Sequence, residues 1–61
     1  MIGITNFFYS CEDGNDICIN TFDTLNGAKD YAKNNEDVKE IFKYEEDAYG
    51  NLECCGCMWK R

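Results

Sequence analysis

Two polar, glycine-bearing clusters flank a single stretch of helical periodicity, and that arrangement leaves few folds open. The first is Glu12-Asp13-Gly14-Asn15-Asp16, with Asp-Gly at its heart. The second, Asp47-Ala48-Tyr49-Gly50-Asn51, carries a glycine where a left-handed turn residue belongs. Residues 2–11 before the first cluster are rich in β-branched and aromatic side chains, and residues 17–22 after it alternate apolar with polar. Residues 38–46 and 52–59 bracket the second cluster in the same way. A hairpin is predicted at each end. Between them Leu25, Ala28 and Ala32 fall at i, i+3 and i+7, beside Tyr31 and Asn35, which predicts a helix over residues 24–34. Asp23 or Thr24 is available as N-cap, and Asn34-Asn35 as a stop. Gly27 stands where a capping box would carry Glu or Gln, and weakens the first turn by about 1 kcal/mol relative to alanine.

The predicted class is therefore α+β: a ββαββ chain forming a four-stranded sheet with one helix packed on one face. A chain of 61 residues has no room for a second core, so residues 1–61 form a single domain. A helix of that length runs about 16 Å, enough to return along a short strand. Strand three is then parallel to strand two, and the two hairpin tips point to opposite ends of the sheet.

Composition removes several function classes. Twelve carboxylates against six basic groups give a formal charge of −6, which disfavours direct binding of nucleic acid through its phosphates. So little chain encloses no deep active-site pocket, so no enzyme activity is expected. Hydrophobic residues at 44% and aromatics at 15% mark a folded protein rather than an acidic tail. No apolar run approaches the ~18 residues of a membrane span. The opening stretch MIGITNFFYS shows neither a positive n-region nor a long apolar core, so the cytoplasm is the expected compartment.

The stretch at residues 22–41, FDTLNGAKDYAKNNEDVKEI, resembles the helix-then-strand segment of short proteins encoded by low-GC Gram-positive bacteria and their phages. It spans about a third of the chain. Such segments usually carry Glu where this one has Asn26 and Gly27. The resemblance implies a small binding protein of the kind phages and mobile elements encode, and it carries over no catalytic residue.

Pairing Cys11 with Asp16 in the first hairpin sets Ile2, Ile4, Phe8, Ile17, Ile19 and Thr21 on one face, and Met1, Phe7, Tyr9, Cys11, Cys18 and Phe22 on the other. Pairing Asp47 with Asn51 groups Val38, Phe42, Tyr44, Leu52, Cys54 and Met58. Ile41, Cys55, Cys57 and Trp59 then go opposite. One helix covers one face, and the Ile-rich face joined to Phe42, Tyr44, Leu52 and Met58 is the natural core. The open face is then expected to hold Phe7, Tyr9, Phe22, Ile41 and Trp59, a candidate contact surface for a partner or a second copy. Long Lys and Glu stems covering those rings are the plainer alternative. Single-strand RNA stacking on the rings is disfavoured by the acidity.

Glu12, Asp13 and Asp16 at the first tip, and Glu45, Glu46 and Asp47 at the second, form the acidic clusters. Solvated turns explain them most simply. The sharper possibility is phosphate mimicry, the carboxylates occupying the basic groove of a nucleic-acid enzyme. Calcium is not indicated, since no EF-hand spacing appears. The five cysteines are expected to be free thiols acting as small hydrophobes, without cofactor or metal. Without a histidine, a catalytic cysteine has no imidazole base. A zinc site through Cys11, Cys18, Cys55 and Cys57 needs a bulge, which Gly56 could supply.

The expectation is a small acidic, non-enzymatic binding protein that inhibits a basic nucleic-acid-processing or defence protein of a phage host. The alternative is a dimerising or zinc-stabilised structural module.

Overall fold

The computed structural model describes residues 4–61, with side chains from Asn6 onward. It contains β1 (Ile4–Glu12), β2 (Cys18–Phe22), α1 (Leu25–Lys33), β3 (Glu40–Asp47) and β4 (Leu52–Lys60). The strands form one antiparallel sheet in the order β2-β1-β3-β4. This is the ββαββ α+β fold the turn signals predict. Strands β2 and β3 flank β1 and both run against it, so they are parallel to each other. Ile4 pairs with Asp47 and Glu12 with Glu40, which sends the two tips to opposite ends.

Local chemistry explains the element ends. Thr24 has extended backbone and caps α1, its hydroxyl accepting the Gly27 N–H at 3.1 Å. Asn34 closes the helix, its N–H donating back to the Tyr31 carbonyl at 3.1 Å. At the second tip the Asp47 N–H donates to Asn51 and the Gly50 N–H to Asp47, both at 3.1 Å. Gly50 sits at φ +83°, the left-handed position expected of it.

The first tip departs from the expected register. Cys11 pairs with Asn20, not Asp16, and Glu12 pairs with Cys18 across a bulge. The turn is wider than Asp-Gly suggests because the Asp13 carboxylate organises it, accepting the N–H groups of Asn15 at 2.8 Å and Ile17 at 3.3 Å.

The helix packs on the opposite face from the one expected. Cys11, Ala28, Ala32, Val38 and Ile41 are fully buried, with Tyr9, Phe22, Leu25, Tyr31 and Trp59 packed around them. The predicted open face is thus the core side. Ile17 and Ile19, assigned to the core, are exposed, Ile17 at 61%. Met1, Ile2 and the side chain of Ile4 lie outside the described residues. The reason for the reversal is polar alternation along β1. The face that carries Phe8 also carries Ser10 and Glu12, which are 3% and 6% exposed there and partnered by the Cys18 sulfur and the Tyr44 hydroxyl. A helix laid there would displace those partners and seal a carboxylate against alanines. The Tyr9 face places small Cys11 at its centre, where the Ala28–Ala32 stripe can approach closely. The Cys11 thiol donates to the Ala28 carbonyl at 3.7 Å, and burial, with Cys18 adding, pushes that thiol's pKa up. Val38, predicted in strand three, instead precedes β3 and fills the core from a loop.

Candidate functional site

Of the residues expected on an open face, Tyr9, Phe22 and Trp59 are half-buried beside the helix, and Ile41 is fully buried. Phe22 lies against Tyr31 with ring centroids 5.2 Å apart. Phe7 alone of that group stays substantially exposed, at 44%. Its ring meets Tyr9 edge-on at 6.0 Å and carries the Lys43 ammonium 5.0 Å from its centroid. Lys43 also pairs with Glu45 at 3.5 Å. Covering of rings by Lys and Glu stems is therefore what happens around Phe7.

Arg61, which no motif or periodicity marks in the sequence, locks this side. Its guanidinium donates to the carbonyls of Val38 at 2.9 Å and Asn35 at 3.1 Å, and to that of Ala32. It also lies over the Trp59 ring, 5.3 Å from the centroid. The cation thus adds hydrogen bonds near the end of α1, where the helix dipole is negative. Of those carbonyls, Ala32 and Asn35 also accept the Asn35 N–H at 3.3 Å and the Val38 N–H at 3.2 Å. The alternation of apolar residues carried no hint of it.

The face left without a helix is the candidate site. Phe8 and Tyr44 stack with centroids 5.5 Å apart and planes 18° from parallel. With Leu52, which is 58% exposed, they floor a shallow depression of about 430 Å³. Ser10, Glu12, Asp16 and Cys18 complete its lining. Glu12 is not a tip residue: it ends β1, only 6% exposed, and accepts the Tyr44 hydroxyl at 3.3 Å. Desolvation, then the Glu12 charge, holds the Tyr44 phenol above its ordinary pKa, so it stays a donor. The Ser10 hydroxyl donates to the Cys18 sulfur at 3.1 Å, which marks how far the bulge has turned Cys18 away from Cys11.

The acidic tips divide into two kinds. Asp13 and Asp47 hold their own turns. Asp47 accepts the N–H groups of Tyr49 at 2.8 Å and Asn51 at 3.0 Å, and those backbone bonds, the Asn51 one above all, lower its pKa. Asp16 faces the depression, at φ +64°. Glu45, Glu46, Asp47 and Glu53 ring a second hollow of about 300 Å³ at the far end, with Asn51 and Leu52. Glu45 and Glu53 are direct cross-strand partners, a like-charge pair that Lys43 partly offsets.

The four cysteines proposed for zinc are not brought together. Cys11 is buried under the helix, and Cys18 lies on the other side of the sheet. Cys55, whose pKa desolvation and neighbouring Glu45 push up, lies beside Lys43 and Glu45. Cys57 pairs with Phe42, not on the Ile41 and Trp59 side. Among the described residues no group of three or more His, Cys, Asp or Glu side chains converges on a metal position. Nor, among those residues, is any helix long and apolar enough to cross a membrane. Comparison with known proteins matches the chain to no family, no curated protein and no solved structure.

Proposed function

We propose that this chain is a non-enzymatic binding protein whose contact site is the depression on the helix-free face, and that its partner is a basic protein presenting an arginine side chain. One observation carries the reading: a stacked aromatic pair and an exposed leucine form the floor, while the carboxylates of Glu12 and Asp16 stand in the wall. An arginine matches both halves. Its alkyl stem and planar head lie well on Phe8 and Tyr44, and its guanidinium suits paired carboxylates. The −6 charge steers such a partner toward the chain and repels free nucleic acid. Proteins that grip nucleic acid display such arginines. Inhibition of a host nucleic-acid-processing or defence protein in the cytoplasm, by a phage or mobile-element product, is the role we assign. It rests on the acidity and on the resemblance of residues 22–41. Phosphate mimicry by the tips is the weaker form of this reading, because Asp13 and Asp47 are engaged in their own turns.

The test is an NMR titration with N-acetyl-arginine amide, followed by competition with nucleic acid for basic enzymes. Amide shifts are expected at Phe8, Asp16, Tyr44 and Leu52, and their loss in a Glu12→Gln/Asp16→Asn variant. Shifts confined to the far hollow at Glu45 and Glu53, or unaltered in that variant, would overturn the site.

A further inference from the structure

Cys54 and Cys57 stand at a C-x-x-C spacing on β4, an edge strand of the sheet. In a regular strand residues three apart point to opposite faces. Here they do not. The pairing runs Tyr44 with Cys54, Lys43 with Gly56, and Phe42 with Cys57, so Cys55 is the extra residue of a bulge. Phe42 and Tyr44 point to the same face, and directly opposed antiparallel residues share a face. Both thiols therefore stand on the helix-free side, as neighbours along the strand. Gly56 makes the bulge possible: it adopts φ +110°, a conformation that residues with a Cβ rarely take. Cys54, Cys55 and Cys57 are all exposed free thiols.

We infer that Cys54 and Cys57 are half of a zinc site that a second copy of the chain completes. Two thiolates at this spacing converge on one ion, as in structural zinc knuckles, and tetrahedral zinc requires four donors. No third donor is at hand within the described residues. Cys18, on the same face, lies at the opposite edge, three strand spacings or about 14 Å away. Neighbouring same-face positions on a strand are about 6.6 Å apart between Cα atoms, and sulfurs around tetrahedral zinc about 3.8 Å. Leaning the two side chains together closes that gap. The Cys57 thiol now donates to the Trp59 carbonyl at 3.1 Å, and a turn about its Cα–Cβ bond frees it. The edge position lets a two-fold partner bring the same pair to the ion, with no strand between them. Four Zn–S bonds form, and four thiol protons leave to solvent, so binding tightens as pH rises.

The experiment adds zinc chloride to the reduced full chain at physiological salt, followed by native mass spectrometry and sedimentation. The expected result is a dimer at one zinc per two chains, lost on chelation. Cadmium substituted for zinc should show the ultraviolet thiolate-to-metal band. Cys54→Ser and Cys57→Ser should each abolish the dimer, while Cys18→Ser and Cys55→Ser should leave it intact. Both target cysteines are exposed, so their variants are expected to keep the wild-type circular dichroism. One zinc on a single chain, no zinc uptake, or a zinc dimer that survives Cys54→Ser would each overturn the inference.

Discussion

Removing Arg61 beyond its Cβ is the most demanding test of how this small domain stays closed. The guanidinium holds carbonyls of Ala32, Asn35 and Val38 and covers the Trp59 ring. Hydrogen bonds to a charged group contribute about 1.5–3 kcal/mol when shielded, less where water can replace the donor. Two of the three bonds are part-buried and one is exposed, so roughly 1.5 kcal/mol in total is reasonable. Cation–π contact and the helix-end charge add about 0.5 kcal/mol each at such sites. Arg61→Ala is thus expected to cost about 2.5 kcal/mol, from a total of roughly 3–9 kcal/mol for a domain of this size. At about 4–8 °C per kcal/mol, the melting midpoint should fall by roughly 10–20 °C. Urea titrations read the free energy and thermal melts the midpoint, each followed in parallel by far-ultraviolet circular dichroism and Trp59 fluorescence. Arg61→Lys should recover less than half, since an ammonium cannot fork to three carbonyls. A loss under about 0.5 kcal/mol, the scatter of ordinary surface substitutions, would refute the reasoning.

Trp59→Ala is expected to destabilise by about 2–3 kcal/mol while Leu52→Asp stays within about 0.5 kcal/mol, because the former packs on the core and the latter projects from the helix-free face; equal effects in urea melts would put the helix on the wrong face. Gly27→Ala should gain well under the ~1 kcal/mol that helix propensity allows. The new Cβ would sit 3.1 Å from the Thr24 hydroxyl oxygen, so the gain should return in a Thr24→Ala background, as a double-mutant cycle can show. Asp47 binds its proton less readily folded than unfolded, so its stabilisation is present above the ordinary carboxylate pKa and vanishes as pH falls through the lowered one. The Tyr49 and Asn51 amide shifts should report that loss below about pH 4, and Asp47→Asn should remove the titration.

Turn chemistry and periodicity were enough to place every element. Residues 24–34 were expected helical and Leu25–Lys33 is the helix, with Thr24 as its cap, because a local hydroxyl and a local stripe decide both. The Asp47–Asn51 pairing also follows from local residues. What failed was long-range. A count of Ile and Phe does not register Ser10 and Glu12, which take their partners from Cys18 and Tyr44 on the helix-free face and leave the Cys11 side to the alanine stripe. The bulge at Ile19 shifts register with no adjacent glycine or proline to mark it, whereas the one at Cys55 stands beside Gly56, where the sequence does allow it; together they re-aim the thiols on which the zinc reading depends. Arg61 was illegible for a related reason: its three carbonyl partners lie 23 to 29 positions away in the chain.

The placement of β1 between β2 and β3 has a kinetic consequence. The first hairpin forms from neighbours in sequence, yet it has nothing to fold around, because Cys11 meets Ile41 only after the helix and its loop have been laid down. Closing that loop costs chain entropy before the core returns any of it. The rate-limiting ensemble should therefore contain the β1–β3 pairing with α1 docked, and truncations of Ala28, Ala32 and Ile41 should slow folding. Changes at the second tip should chiefly hasten unfolding. A nascent or cleaved piece ending before residue 40 would lack Ile41 and leave Cys11 and the Ala28–Ala32 stripe uncovered, with the β1 edge unpaired, and would be prone to aggregate or be degraded.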